Sequence, residues 1–248
     1  MRYFIQLSYN GKAYHGWQIQ PNAITVQETI QNALSKLLNT ELAIIGAGRT
    51  DTGVHASQMF AHFDVEEHID SDNLVYKLNS FLPKDIAIQS IFQVKDDAHA
   101  RFNAVKRSYE YKVALKKDVF QSDYSYYIYQ NLDIDKMNKA AKILLEYNDF
   151  QCFSKSNTDV KTYNCKVENA HWEHEDDMLV FNISADRFLR NMVRAIVGTL
   201  INIGLGKINI EDMHRIIKSK DRGEAGFSVP AKGLYLTEVI YPDITYTQ

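Results

Sequence analysis

Cysteine is nearly missing from this 248-residue chain: Cys152 and Cys165 are the only two, too few for a disulfide framework. Proline is as sparse, with 4 residues, and together with only 11 glycines this excludes collagen-like and low-complexity material. No long hydrophobic run exists. The most apolar stretch, Ala195–Leu205, covers 11 residues and includes Thr199 and Asn202, whereas a bilayer span needs about 20 mostly apolar residues. The first residues, Met1–Ser8, alternate instead of forming an apolar block, so neither a signal peptide nor a membrane helix is expected and the chain reads as cytoplasmic. Neither sign of charge dominates. Lys and Arg number 28 against 31 Asp and Glu, a formal net charge of −3 that predicts no global attraction to nucleic acid. What remains is ordinary globular composition, 45% hydrophobic and 12% aromatic, enough apolar surface to offset the entropy of ordering the chain.

The charge is unevenly placed. From Arg187 to Arg222 there are eight basic residues and three acidic ones, while Asn164–Asp186 holds six acidic and one basic. Such a chain can carry a basic groove despite its net charge, although scattered solvated charge fits the same counts. Periodicity predicts a mixed fold. Met1–Tyr9 alternates as a strand, and Thr25-Val26-Gln27-Glu28 is a capping box opening a helix with Val26, Ile30, Ala33, Leu34, Leu37 and Leu38 inward. Strands are expected near 57–65, 86–94, 107–115, 164–173, 178–185 and 233–241. Helices are expected from Ser71, as N-cap, to Leu82, after Asp133 with Met137, Ala140, Ala141, Leu144 and Leu145 buried, over Arg187–Gly204, and after Asn209. Strands joined without a regular one-helix-per-strand rhythm point to an α+β fold with largely antiparallel sheet, in two related α/β lobes, residues 1–104 and 105–248.

Three segments carry candidate chemistry. In Gly46-Ala47-Gly48-Arg49-Thr50-Asp51-Thr52-Gly53-Val54-His55-Ala56, three glycines bracket Arg-Thr-Asp, so the backbone is able to turn sharply and present Asp51 as an aimed carboxylate. The plain alternative is a β-turn whose Asp caps its own backbone. Asp51-Thr52-Gly53 also spells the aspartic-protease triplet, but that chemistry needs two such triplets and the chain has one. In the second segment, Arg187, Arg190 and Arg194 fall at i, i+3 and i+7 and are expected on one helical face, able to bind phosphate or hold a carboxylate ionised. An ordinary basic outer face is the alternative. Third, Arg101, Lys106 and Arg107 surround Phe102 and precede Tyr109 and Tyr111, an interleaving suited to unstacked bases and their phosphates, or simply an amphipathic strand. No metal site is expected, because the spacings among Cys152, Cys165, His171 and His174 match no common zinc pattern. Phosphate-loop, dinucleotide and nucleophile-elbow motifs are missing as well.

Taken together, these segments resemble the tRNA pseudouridine synthase A family. Gly48–Ala56 is similar to its catalytic motif, with Thr52 where the family usually has Ala. His99-Ala100-Arg101-Phe102 with Lys106-Arg107-Ser108-Tyr109 resembles the motif of the active-site tyrosine, and Phe188-Leu189-Arg190-Asn191-Met192-Val193-Arg194 the arginine helix. Pro230–Leu236 is similar to the C-terminal signature, and the likeness begins at the Asn10–Gln18 loop; Gly226-Phe227-Ser228-Val229 is less typical. The resemblance implies isomerisation of uridine to pseudouridine at positions 38 to 40 of the anticodon stem and loop. It also implies a homodimer in which each tRNA touches both subunits, no metal or organic cofactor, and two ferredoxin-like lobes whose sheets meet at a central cleft. On that footing Asp51 is the nucleophile, Arg194 the cation keeping it ionised, and Tyr109 a residue that stacks on uracil and serves proton transfer. Arg49 fills the stack vacated by the flipped nucleotide, and Arg101, Lys106, Arg107, Arg187 and Arg190 are phosphate contacts. A catalytically silent RNA-binding protein and an aspartic hydrolase are the rival readings; only the isomerase requires Asp51 for a product in RNA.

Overall fold

The apolar alternation that opens the chain becomes β1 (Arg2–Tyr9), in a computed structural model that describes residues 1–156 and 160–243. These residues divide into two units, Met1–Lys106 together with the chain from Leu236 onward, and Arg107–Tyr235. The fold is mixed α/β, and its strand pairs are mostly antiparallel.

In the first unit β1 is central, antiparallel to β3 (His55–Asp64) on one side and β4 (Ile86–Val94) on the other. A short β2 (Ile45–Gly46) pairs with β3, and β9 (Leu234–Ile240), from Leu236 onward in this unit, also lies beside β3. Being central, β1 buries both faces. Tyr3, Ile5 and Leu7 are fully buried on one, and Phe4 on the other meets Phe60, His62, Phe92 and Tyr241, with ring centroids 5.1–6.4 Å apart. Edge-to-face and tilted geometries of this kind add roughly 0.5–1.5 kcal/mol per pair to the area term. Helix α1 (Val26–Leu38) starts where the capping box predicts, the Thr25 hydroxyl accepting from the Glu28 amide at 3.3 Å, and ends at Asn39 in the left-handed region, φ 51°. Val26, Ile30, Ala33 and Leu34 are buried, while Leu37 and Leu38 are only half-buried. Helix α2 (Ser71–Phe81) is capped by Asp70 rather than Ser71: the carboxylate accepts from the Asn73 amide and places negative charge at the helix N-terminus.

The second unit holds β5 (Lys106–Ala114), from Arg107 onward, then β8 (Met178–Ala185) and β7 (Val167–Glu175), all antiparallel, with a two-residue β6 (Tyr126–Tyr127) parallel to β5. Helix α3 (Ile134–Ile143) packs on β7 and on α4 (Met192–Gly204); α5 (Asp212–Ser219) follows. Leu145 departs from the expected buried stripe: the helix tightens into a 3₁₀ turn at 144–146, which turns Leu145 out to solvent at 47% exposure. None of the helices among the described residues is long and apolar enough to cross a membrane.

One buried titratable group ties stability to pH. His62 faces Phe4 across the β1–β3 ladder and is 3% exposed. Burial, then the positive charges of Arg2 and His99, push its imidazole down from 6.5 to about 4, against a smaller opposing pull from Asp64. The folded protein thus binds this proton less readily than the unfolded chain. The stability it carries is complete above pH 6.5 and is lost as the pH falls toward 4, a difference of about 3 kcal/mol. In urea unfolding across that window, the wild type should lose about 3 kcal/mol more than His62→Phe. Parallel curves for the two proteins would show that His62 is not the titrating group.

Candidate active site

The glycine-framed loop between β2 and β3 is fixed by backbone contacts with the 10–17 segment of the same unit. The Trp17 amide donates to the Thr50 carbonyl at 3.3 Å, the Gly53 amide to the Tyr14 carbonyl at 3.3 Å, and the Val54 amide to the Asp51 carbonyl at 3.1 Å. The Tyr9 hydroxyl shares a hydrogen bond with Thr50 Oγ1 at 2.9 Å, and the Gly11 amide donates to His55 Nδ1 at 3.1 Å. Side chains are excluded where these segments meet. A Cβ on Gly11 would lie 1.9 Å from the Val54 carbonyl oxygen, and one on Gly16, which has φ +86°, 2.3 Å from that of Thr50. At Gly46 a Cβ would strike the buried Trp17 indole at 2.5 Å, and Gly53 turns the chain at φ +79°. Gly48 meets nothing within 4 Å, so the loop is tight at its base and open beside Arg49. Arg49 is exposed, and Asp51 is half-buried.

Behind the 10–17 segment, Tyr14 donates its hydroxyl to Asp85 at 2.7 Å, and the Asn10 amide donates to the Asp85 carbonyl at 2.8 Å. Burial and that hydrogen bond hold the Tyr14 phenol well above its ordinary value, so it stays a neutral donor. The same unit carries Arg101, exposed with its guanidinium 5.6 Å over the Phe102 ring, and Lys106, 3.5 Å from the Glu238 carboxylate.

The second unit carries the other candidates. On β5, Arg107 Nη1 donates to the Asp186 carbonyl at 2.9 Å. Tyr109 sits opposite Ile183, half-buried and edge-on to Phe188 at 5.1 Å. Its neighbour Tyr111 is fully buried and donates to the Pro230 carbonyl at 2.9 Å, which leaves Tyr109 as the ring that reaches the surface.

The expected shared face of Arg187, Arg190 and Arg194 does not form. Asn191 takes a left-handed conformation, φ 67°, and α4 begins only at Met192. Helical spacing therefore does not apply to 187–190: Arg187 is half-buried outside any helix or strand, and Arg190 is exposed in a turn. Only Arg194 is helical, in the first turn of α4.

Arg194 is seated by the 226–230 segment, the run to which sequence reasoning gave no role. Its Nε donates to the Val229 carbonyl at 2.7 Å, and the Val229 amide returns a bond to the Arg194 carbonyl at 3.2 Å. Asn191 and Arg222 both donate to Ser228 Oγ, at 2.7 and 2.9 Å. Close approach depends on a glycine pair: a Cβ on Gly198 would lie 1.9 Å from the Phe227 carbonyl oxygen, and one on Gly226 2.5 Å from the Thr199 amide. Thr199 Oγ1 closes the contact by accepting from the Gly226 amide at 2.8 Å. The signal for this seat is two glycines, Gly198 in mid-helix and Gly226 in the irregular segment after α5.

Burial pushes the Cys152 and Cys165 thiols up to about 12, so neither is a thiolate nucleophile at neutral pH. Among the described residues no group of three His, Cys, Asp or Glu side chains is gathered for a metal ion.

Comparison with known proteins follows the same segments. The family profile described as tRNA pseudouridine synthase matches residues 6–103 and 140–242. A tRNA pseudouridine synthase A of Parabacteroides distasonis is 54% identical over 243 residues, covering 98% of this chain and 96% of the relative. That of Bacteroides thetaiotaomicron is 51% identical over 250 residues, covering 100% and 93%, and that of Thermoanaerobacter pseudethanolicus 42% over 239 residues, covering 96% and 98%. With the match running through both units and both glycine-supported loops, the chain belongs to the tRNA pseudouridine synthase family.

Proposed function

We propose that this protein is an isomerase that converts uridine to pseudouridine in tRNA, at positions 38, 39 and 40 of the anticodon stem and loop, with Asp51 as nucleophile. The observation that supports the reading is the backbone-clamped Asp51 loop in a chain whose near-full-length relatives are named tRNA pseudouridine synthase A. The reading extends to two ferredoxin-like lobes around a central cleft, and to a cytoplasmic homodimer that holds each tRNA with both subunits.

The chemistry breaks the bond between C1′ and N1 and makes one between C1′ and C5 of the same base. The C5 proton is lost and N1 gains one, with no net oxidation, so the reaction needs no redox partner. A carboxylate that forms a transient covalent adduct with the nucleoside splits this into easier steps. Arg194, oriented through its Nε bond to Val229, is the cation proposed to keep Asp51 ionised, and Tyr109, braced edge-on by Phe188, the ring that stacks on uracil and moves the proton. A uridine inside a stem must be flipped out, at a cost of a few kcal/mol. Arg49, exposed where the loop is open, is proposed to occupy the vacated stack.

Transfer RNA labelled with tritium at uridine C5 should release tritium on incubation with the purified protein alone. Asp51→Asn should bind tRNA like the wild type yet lose at least about a thousandfold in turnover, and Arg194→Gln about a hundredfold. Product from Asp51→Asn at the wild-type rate would remove the nucleophile from the mechanism.

Gly16→Ala tests the clamp. The added methyl meets the Thr50 carbonyl one residue from Asp51, at a φ that L-residues avoid. Overpacking of this kind costs about 1–3 kcal/mol of stability, and an aspartate displaced by about 1 Å should lower kcat by about a hundredfold with little change in KM. Steady-state kinetics beside thermal unfolding separate the two effects.

Phosphate contact by Arg101, Lys106, Arg107, Arg187 and Arg190 makes tRNA affinity fall steeply with salt. Arg190→Gln, at an exposed position, should lower the slope of log affinity against log salt by about one. Lys106→Gln should lower it less, since Lys106 already faces Glu238. A salt-insensitive affinity would contradict the phosphate role.

A further inference from the structure

Phe102 lies outside the residues given roles above, and its setting is unusual. The residue is 73% exposed, yet every backbone amide from His99 to Asn103 donates a hydrogen bond. The Arg101 and Phe102 amides both donate to His99 Nδ1, at 3.1 and 3.3 Å. The Asn103 amide donates to the His99 carbonyl at 3.0 Å, and the Asn103 side chain accepts from the His99 amide in return. Ala100 is held from below by two buried groups: its amide donates to His62 Nδ1 at 3.2 Å, and its carbonyl accepts from the Tyr241 hydroxyl at 2.6 Å.

A column of rings rises through this turn. Buried His62 meets His99 at 4.7 Å, His99 meets Phe102 at 4.3 Å, and the Arg101 guanidinium lies 5.6 Å over the Phe102 ring. A lone exposed aromatic needs no explanation. One held outward by a turn rooted in the core, with a cation at its face, has the composition of a stacking platform for single-stranded nucleic acid: a π-face for a base and a positive charge for its phosphate.

We propose that Phe102 is a stacking site for an unpaired base of the substrate tRNA, with Arg101 beside it meeting the adjoining phosphate and His99 acting as the positioning residue that holds the ring outward. The proposal rests on the reading of the chain as a tRNA-modifying enzyme and names a substrate contact distinct from the reacting uridine. The charge of Arg101 selects a polyanion over an apolar protein partner, and the flat ring selects an unstacked base over a duplex.

The test replaces Phe102 in the full chain. Phe102→Leu should raise KM for tRNA by roughly tenfold, with the loss in KM rather than kcat and with thermal unfolding unchanged at so exposed a position. Phe102→Trp, which preserves the stacking face, should restore KM, and its indole is also a reporter because the two native tryptophans, Trp17 and Trp172, are buried. Acrylamide should quench the new indole in free protein, and an unmodified tRNA transcript should protect it where a fully paired RNA duplex does not. Unchanged KM in Phe102→Leu, equal protection by duplex, or protection that grows with protein concentration alone would overturn the proposal. Loss of tritium release in the wild type would instead refute the functional reading on which it stands.

Discussion

Two stretches of backbone approach each other at Gly11 and Gly16 more closely than any side chain allows, and the placement of Asp51 depends on that approach. The loop that carries Asp51 is short, glycine-framed and half open to solvent. Its order comes from donors and acceptors on the 10–17 segment, which satisfy the Thr50 carbonyl and the Gly53 amide directly. Backbone bonds of this kind hold position firmly, since neither partner has side-chain rotamers to explore. Trp17 then seals the arrangement, filling the space left by the missing Cβ of Gly46. The cost is sequence freedom at three glycines.

The second unit solves a similar problem with different parts. Arg194 carries a long, flexible side chain, and an arginine aimed only by its charge would sample many conformers. Here the Nε–H is bound to Val229 O, while the Val229 amide binds back to the Arg194 carbonyl, so one short segment grips both ends of the residue. The segment can lie that close because Gly198 and Gly226 present bare backbone to each other and Thr199 supplies the joining hydroxyl. In both units a charged side chain is positioned by glycine-permitted backbone contact, and such preorganisation is what lets electrostatic stabilisation act without reorganisation during reaction.

Most of the regular structure was legible because it rests on local rules. The period-two pattern of residues 2–9 and 86–94, the Thr25 capping box and the Asp133 cap each name their element from a handful of neighbouring residues. Errors arose where a local signal had a near-equal rival or where one residue broke a period. Asp70 and Ser71 are both good caps, and the charged one prevails through the helix dipole. Asn191 interrupts a pattern that reads as continuous helix from Arg187, because a left-handed asparagine costs little and leaves no mark in hydrophobic periodicity. Leu145 was misjudged for a related reason, a helix that tightens by one turn. The residues proposed to carry the chemistry stand in visible motifs, but their supports do not. Contacts between residues 16 and 50, or 198 and 227, are long-range and backbone-made, and a sequence records them only as unexplained glycines.

The net charge of −3 also misleads when taken as a statement about RNA, and the ion pairs explain why. Part of the acidity is paired locally: Asp64 chelates Arg2, Asp177 meets Lys116, Asp149 meets Lys220, and Asp212 with Glu224 flank Arg215. Such pairs at the surface contribute little stability, yet each cancels one cation at short range and leaves almost no field beyond a Debye length of about 8–10 Å. The sum over the chain therefore says little about any one surface. What a polyanion meets is the local balance. On the Arg101–Phe102 turn and in the stretch from Arg187 to Arg194, the segment itself supplies cations and no carboxylate. A protein with small net charge and local basic segments binds nucleic acid where those segments lie and repels it elsewhere, and that contrast gives orientation to an encounter that a uniformly basic protein would leave unspecified.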